Sequence, residues 1–218
     1  MKNPIADVSI RKAAILVGIS ILIMAPLAMF ADGVALQSLI VSGDAATTAN
    51  NIKADEVLFG LGIASYIVIL VLDVIIALAL YVIFKPVNKT LASLAASFRL
   101  IYAAIMGISL FALVLLFSNE YTYGKLIAYI FFISHLFVLG YVVYKSGYIP
   151  RPLGILLMIA SFCYIILLYG KYFLPTEWLQ ILTVIVILPS ILAELLLGIW
   201  LLVKRNKINS MQHLDNSA

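Results

Sequence analysis

Long runs of apolar residues, separated by short polar connections, dominate the pattern of this chain. Six runs can be delimited, and each is long enough for a helix that crosses a hydrocarbon core about 30 Å thick, which takes roughly 20 residues. They extend from Ala13 to Ala31, Val57 to Phe84, Thr90 to Ser118, Leu126 to Tyr144, Pro152 to Phe173 and Glu177 to Val203. The pattern predicts an all-α, polytopic membrane protein, a compact bundle of six transmembrane helices.

Composition excludes a soluble domain. Hydrophobic residues make up 65% of the chain and charged residues 11%, whereas soluble domains average about 45–50% and about 25%. The net charge of +4 does not collect into a basic patch interleaved with aromatic residues, so nucleic acid is not an expected partner. The single cysteine, Cys163, excludes an intramolecular disulfide framework and a thiolate metal cluster.

Lysines and arginines indicate how the helices are oriented. One set of connections and ends carries ten of them: Lys2, Arg11, Lys12, Lys85, Lys89, Lys145, Arg151, Lys204, Arg205 and Lys207. The other set carries three: Lys53, Lys125 and Lys171. Because basic residues accumulate on the cytoplasmic side, both termini are predicted to face the cytoplasm, with the bundle in the bacterial cytoplasmic membrane.

The chain is expected to form one domain over residues 1–218. Its first apolar run is interpreted as a retained helix, because Met29-Phe30-Ala31 is a poor signal-peptidase site. The outer connection, about residues 32–56, is predicted to contain a short surface helix opening at Ser42 or Asp44, which serves as a packed lid or a binding loop. The tail, about residues 204–218, is polar and cytoplasmic.

An internal repeat is a further hypothesis. Tyr81-Val82-Ile83-Phe84-Lys85 is echoed by Tyr141-Val142-Val143-Tyr144-Lys145, and Ala96-Ser97-Phe98 by Ala160-Ser161-Phe162. Helices 2-3 and 4-5 would then form a parallel repeat about the membrane normal.

Several short strings resemble one known family. They are Ile40–Thr47, Leu72-Asp73-Val74, Lys85–Leu91, Phe98-Arg99-Leu100 and Ser146–Arg151. They are similar to a bacterial integral membrane family catalogued as a domain of unknown function, number four-three-eight-six. The resemblance runs from Arg11 to Lys204 and implies six helices, but it brings no assigned chemistry.

Four ionisable residues lie within the predicted spans: Asp73, Arg99, His135 and Glu194. Counted from the cytoplasmic ends at 1.5 Å per residue, all four lie roughly 14–17 Å deep, near the middle of the bilayer. Such residues are expensive to bury and indicate a functional site. The sequence therefore predicts a buried polar centre.

Pairing within this centre follows from the cost of burial. Asp73 and Arg99 are joined by a short hairpin and are expected to form an ion pair. His135 and Glu194 must pair with each other, with that ion pair or with water, and His135 is expected to titrate near physiological pH. Small polar and aromatic residues at similar depth predict a hydrated surrounding: Ser20, Ser97, Tyr102, Ser134, Ser161 and Tyr164.

No cofactor is predicted. A haem with two histidine ligands fails because only His135 lies in the membrane, the other histidine being His213 in the tail. Asp73, His135 and Glu194 could hold one divalent ion only if Arg99 points elsewhere; no metal is expected.

Three functions remain open at this point. The first is binding or transport of a proton, an ion or a small polar solute, with the acidic residues and His135 as proton acceptors and Arg99 as counter-ion. The second is an intramembrane enzyme acting on a lipid or lipid-linked substrate, with His135 or Glu194 as general base. The third is a non-catalytic sensor or scaffold in which the charged residues hold the helices in register.

Overall fold

The computed structural model describes residues 9–170 and 191–204, together with 173, 175, 178, 185, 186, 188 and 189. Within that part of the chain all regular secondary structure is helical, which confirms the all-α class. The elements are α1 (Ile10–Phe30), a π-helical segment (Ala31–Leu36), α2 (Gln37–Leu39), α3 (Ala45–Ala54), α4 (Glu56–Phe84), α5 (Lys89–Val114), α6 (Ser118–Lys145) and α7 (Arg151–Tyr169). Residues 191–204 are also helical and are called the terminal helix.

Within the described part of the chain, five helices are long and apolar enough to cross a membrane: Ile10–Leu39, Glu56–Phe84, Lys89–Val114, Ser118–Lys145 and Arg151–Tyr169. These spans suggest a multi-pass membrane protein. Of the sixth predicted run, Glu177–Val203, residues 177, 179–184, 187 and 190 lie outside the described residues, and its described end belongs to the terminal helix.

The first span continues past its predicted end at Ala31. It passes through the π-helical segment and ends at Leu39. Ala35 and Leu36 are buried there, and Gly62 of α4 approaches so closely that a Cβ added to it would lie 2.9 Å from the Cβ of Ala35. This packing against α4 keeps the chain helical, so that Asp32 belongs to a helix and not to a loop.

The connection between α5 and α6 is shorter than predicted. Helix α5 ends at Val114 and α6 begins at Ser118, whereas the sequence predicted a start at Leu126. Leu116 adopts a left-handed conformation with φ of 64°, which turns the chain within three residues. The polar residues expected in a connection, among them Lys125, therefore extend α6.

Small residues let the long helices approach closely. A Cβ on Gly154 of α7 would lie 2.6 Å from the carbonyl oxygen of Gly140 on α6. A Cβ on Gly18 of α1 would lie 2.7 Å from the carbonyl oxygen of Gly198 in the terminal helix. Close backbone contact of this kind is a common way for helices to associate in lipid.

The predicted surface helix is confirmed, and it opens at Asp44. The Asp44 side chain accepts hydrogen bonds from the backbone amide and the hydroxyl of Thr47, and these bonds hold the pKa of its carboxyl below the ordinary value of 3.8. Asn51 donates to the carbonyl oxygen of Leu39 at 3.2 Å. Helix α3 is thus tied to the end of the first span, as expected of a packed lid.

Candidate functional site

The guanidinium of Arg99, on α5, is fully buried and lies at the centre of the site. Its Nε donates to Oδ1 of Asp73 on α4 at 2.9 Å, and its Nη2 lies 2.8 Å from the same oxygen. The Asp73 side chain is 2% exposed. This ion pair joins the two helices of one hairpin.

Two further helices contact the same guanidinium. Nη1 of Arg99 donates to Oε1 of Glu194 in the terminal helix at 2.5 Å and lies 3.1 Å from Nε2 of His135 on α6. The structure therefore brings the four predicted ionisable residues of four different helices together. We call Asp73, Arg99, His135 and Glu194 the charge cluster.

The partners of His135 determine its tautomer. Nδ1 lies 2.8 Å from the carbonyl oxygen of Ala95, which can only accept a hydrogen bond, and Nε2 faces Arg99, which can only donate. The imidazole is therefore assigned as neutral, with its proton on Nδ1. A second ring proton, on Nε2, would point at the guanidinium of Arg99, which offers no acceptor.

With both carboxylates ionised, the cluster carries one excess negative charge. Two carboxylates face one guanidinium and a neutral imidazole. Oδ2 of Asp73 is buried and has no hydrogen-bond partner among the described residues. Removing this excess charge requires a proton or another cation, because an unbalanced charge in low dielectric is costly.

The six supporting residues make no hydrogen bond to the charge cluster. Ser20, Tyr102 and Ser161 are buried, Ser134 and Tyr164 are half-buried, and Ser97 is exposed. The hydroxyls of Ser134 and Ser161 donate to carbonyl oxygens of their own helices, and both line a separate cavity of about 350 Å³. These two serines therefore do not contact the charges in this structure, and the hydrated surrounding stays a prediction.

A large cavity adjoins the cluster, and the sequence did not indicate it. Its volume is about 730 Å³, and its lining extends along the first span from Ile21 to Gln37 and continues to Ile40, just beyond the end of that span. Glu194 lines it, with its side chain 13% exposed, whereas Asp73, Arg99 and His135 do not. The lining residues are Ile21, Met24, Ala25, Ala28, Met29, Asp32, Gly33, Leu36, Gln37, Ile40, Ser42, Tyr121, Thr122, Lys125, Leu126, Tyr129, Tyr164, Leu167, Leu168, Ile191, Glu194 and Leu195.

A second ion pair lies in the cavity wall. Nζ of Lys125 bonds to Oδ1 of Asp32 and lies 5.8 Å from the ring centre of Tyr121. The sequence assigned Asp32 and Lys125 to two connections on the same membrane side. The sequence could have indicated this pair, because the two residues have opposite charges and were predicted on the same side of the membrane.

Aromatic rings connect the cavity wall to Arg99. The ring centres of Tyr129 and Tyr164 are 5.9 Å apart, and each packs on Phe132, at 5.9 Å and 5.3 Å. The guanidinium carbon of Arg99 lies 5.6 Å from the centre of Phe132, a distance suited to a cation–π contact. Tyr102 also packs on this group, 4.9 Å from Phe132 and 5.6 Å from Tyr129.

The alternative of one divalent ion required Arg99 to point away from Asp73, His135 and Glu194. Arg99 instead contacts each of these side chains. The described residues contain no group of three or more potential ligands positioned for a metal. The guanidinium of Arg99 thus lies where a metal ion bound by these three side chains would have to lie.

The long apolar helices suggest a helical, multi-pass membrane protein with a buried charge cluster. The chain belongs to the family described as domain of unknown function (DUF4386), whose model matches residues 16–119 and 110–204; the family resemblance of the sequence is confirmed. A relative from Archaeoglobus fulgidus, described as an uncharacterized protein, is 37% identical over 155 residues, 68% of this chain and 86% of the relative. No solved structure matches the chain.

Proposed function

We propose that this protein binds or transports a proton, an ion or a small solute in the cavity that reaches Glu194. One observation carries the proposal: the Glu194 carboxylate lines the cavity and also accepts a hydrogen bond from the buried Arg99. An occupant that interacts with Glu194 therefore changes the charge balance of four helices at once. Coupling of this kind is what a binding or transport site requires.

The two other functions have less support. A scaffold is favoured by a dry and fully paired centre, but the cluster has an excess charge and one partly exposed carboxylate. An enzyme with His135 as general base requires substrate to reach the imidazole, and His135 is fully buried and absent from the cavity lining. Glu194 would have to act as the base alone.

The topology belongs to the same proposal. We take the chain as one domain of six spans with both termini in the cytoplasm of a bacterial cell, and the hairpins α4–α5 and α6–α7 as the two halves of a parallel repeat. The lining between Ile21 and Ile40 then lies in the outer half of the membrane, under the lid formed by α3. Solute would enter from outside and stop at the midplane.

Water accessibility tests the proposal without knowledge of the solute. Two single-cysteine variants are made in a Cys163→Ala background. Ala28→Cys lies in the cavity lining, and Ala104→Cys is exposed on α5 and absent from that lining. We expect a charged methanethiosulfonate reagent to modify Ala28→Cys at least about tenfold faster than Ala104→Cys, because thiolate chemistry needs water. Equal rates at the two positions would contradict a solute-accessible cavity.

Transport is distinguished from binding by proton flux. Proteoliposomes with an entrapped pH indicator are given a membrane potential, and wild type is compared with Glu194→Gln and with the control Glu120→Gln on the exposed first turn of α6. Flux in wild type and Glu120→Gln that is lost in Glu194→Gln supports proton transport through the cluster. Equal flux in all three would remove Glu194 from any proton path.

A further inference from the structure

The charges on the cavity wall do not cancel. Within the described lining, Lys125 is neutralised by Asp32. Among the described lining residues Glu194 is the remaining charged group, and the guanidinium that it contacts is shared with Asp73. The wall and the cluster behind it therefore present one excess negative charge to an occupant.

Aromatic faces accompany that charge. Tyr129 and Tyr164 line the cavity as a pair and are connected through Phe132 to the guanidinium that binds Glu194. The negative face of an aromatic ring attracts a cation, most effectively when the cation has lost its water. A carboxylate combined with tyrosine rings is the arrangement that recognises ammonium groups.

The rest of the lining selects against a small hydrated ion. Most of it is apolar and includes the flexible side chains of Met24 and Met29, and a cavity of about 730 Å³ lies within the usual range for a drug-sized molecule, about 300–1,000 Å³. A bare inorganic ion would leave this apolar surface uncovered. A molecule with an apolar body would cover it.

We infer that the cavity binds a monovalent organic cation with an apolar body, such as a lipophilic amine or a quaternary ammonium compound. The nitrogen lies between Glu194 and the rings of Tyr129 and Tyr164, and the apolar body extends along α1 toward Met29. An organic anion is disfavoured because Lys125 is already paired and Arg99 does not line the cavity. This inference rests on the proposed function, since it requires the cavity to admit a solute.

Two probes of the same shape, one charged and one neutral, isolate the effect of charge on binding. Benzyltrimethylammonium carries one positive charge, and neopentylbenzene has carbon in place of its nitrogen. Binding is measured on the protein in lipid nanodiscs by calorimetry and by the shift in unfolding temperature, with empty nanodiscs subtracted. We expect the cation to bind about 10- to 30-fold more tightly than its neutral isostere, the fold-change that a desolvated cation gains over aromatic rings.

Matched variants identify the groups that recognise the charge. Glu194→Gln keeps an oxygen that accepts from Arg99 and leaves the Asp73 and Arg99 charges balanced, so it is expected to fold and to lose the preference for the cation. Tyr164→Phe keeps the ring and is expected to retain binding, whereas Tyr164→Leu is expected to weaken it about 2- to 30-fold. Glu120→Gln and Tyr141→Leu, at two exposed residues that do not line the cavity, serve as controls without effect.

Three outcomes would overturn the inference. They are equal affinity for the two probes, tighter binding of benzenesulfonate than of benzyltrimethylammonium, and unchanged cation preference in folded Glu194→Gln. If the neutral probe binds and Ala28→Trp abolishes that binding while Ala104→Trp does not, the cavity still admits solutes and the proposed function survives. If Ala28→Cys is no more accessible than Ala104→Cys, the proposed function itself fails.

Discussion

Arg99 and Asp73 interact through a single carboxylate oxygen. Nε of Arg99 donates to Oδ1 of Asp73 at 2.9 Å, and Nη2 lies 2.8 Å from that oxygen. This geometry leaves Nη1 free of Asp73, and Nη1 contacts Glu194 and His135 instead. One guanidinium thereby connects α4, α5, α6 and the terminal helix.

Because Arg99 serves two carboxylates, its loss should cost more than the loss of Asp73. Arg99→Leu leaves Asp73 and Glu194 without a counter-ion and should lower the free energy of unfolding by about 3–5 kcal/mol. Asp73→Leu leaves Arg99 paired with Glu194 and should cost less. Arg99→Leu leaves two carboxylates unpaired, whereas the double variant leaves only that of Glu194. The double variant should therefore lose less stability than the sum of the two single losses.

Unfolding in mixed micelles measures this cycle. Arg151→Leu, at the exposed start of α7, is the control: it removes an arginine that has no buried carboxylate as partner. It should change the free energy of unfolding by less than about 1 kcal/mol. Strictly additive losses at Asp73 and Arg99 would argue against a coupled buried pair.

The contact between α6 and α7 should not tolerate a methyl group. A Cβ on Gly154 would lie 2.6 Å from both the carbonyl oxygen of Gly140 and the amide nitrogen of Tyr144. Gly154→Ala must separate the two helices and should destabilise the protein by about 1–3 kcal/mol. At Gly60 a Cβ would meet nothing within 4 Å, so Gly60→Ala should be neutral or gain up to about 1 kcal/mol from helix propensity.

Thermal unfolding in one detergent compares the two glycine variants directly. Gly140→Ala, whose Cβ would lie 2.7 Å from the carbonyl oxygen of Gly154, should behave like Gly154→Ala. Equal unfolding temperatures for Gly154→Ala and Gly60→Ala would show that the helices are not in close backbone contact.

The proposed topology predicts opposite labelling of two exposed positions. In a Cys163→Ala background, Ala46→Cys on α3 should react with a membrane-impermeant maleimide in intact cells. Thr90→Cys, at the start of α5, should react only after permeabilisation, because Lys85 and Lys89 place that turn in the cytoplasm. Both positions are exposed, so reactivity after permeabilisation provides the control, and protection of Ala46→Cys in intact cells would invert the scheme.

Much of the architecture follows from the sequence because the solvent imposes it. In lipid each backbone hydrogen bond must be satisfied within the segment, so a long apolar run has few alternatives to a helix. The fixed rise per residue then predicts that Asp73, Arg99, His135 and Glu194 lie at one depth. The start of α3 at Asp44 was equally local, since the cap bonds are formed by residues three positions away.

The contacts of Arg99 and the position of the cavity could not be predicted from local sequence. Which groups contact Arg99 depends on how each helix is rotated about its axis, and hydropathy does not encode that rotation in helices that are apolar on all sides. The same applies to two helix ends. Contacts with α4 extend the first span through Asp32, and the left-handed Leu116 lets α6 begin early enough to include Lys125. The cavity is lined mainly by residues that look like ordinary packing residues, and only the tertiary structure decides where such residues fail to fill space.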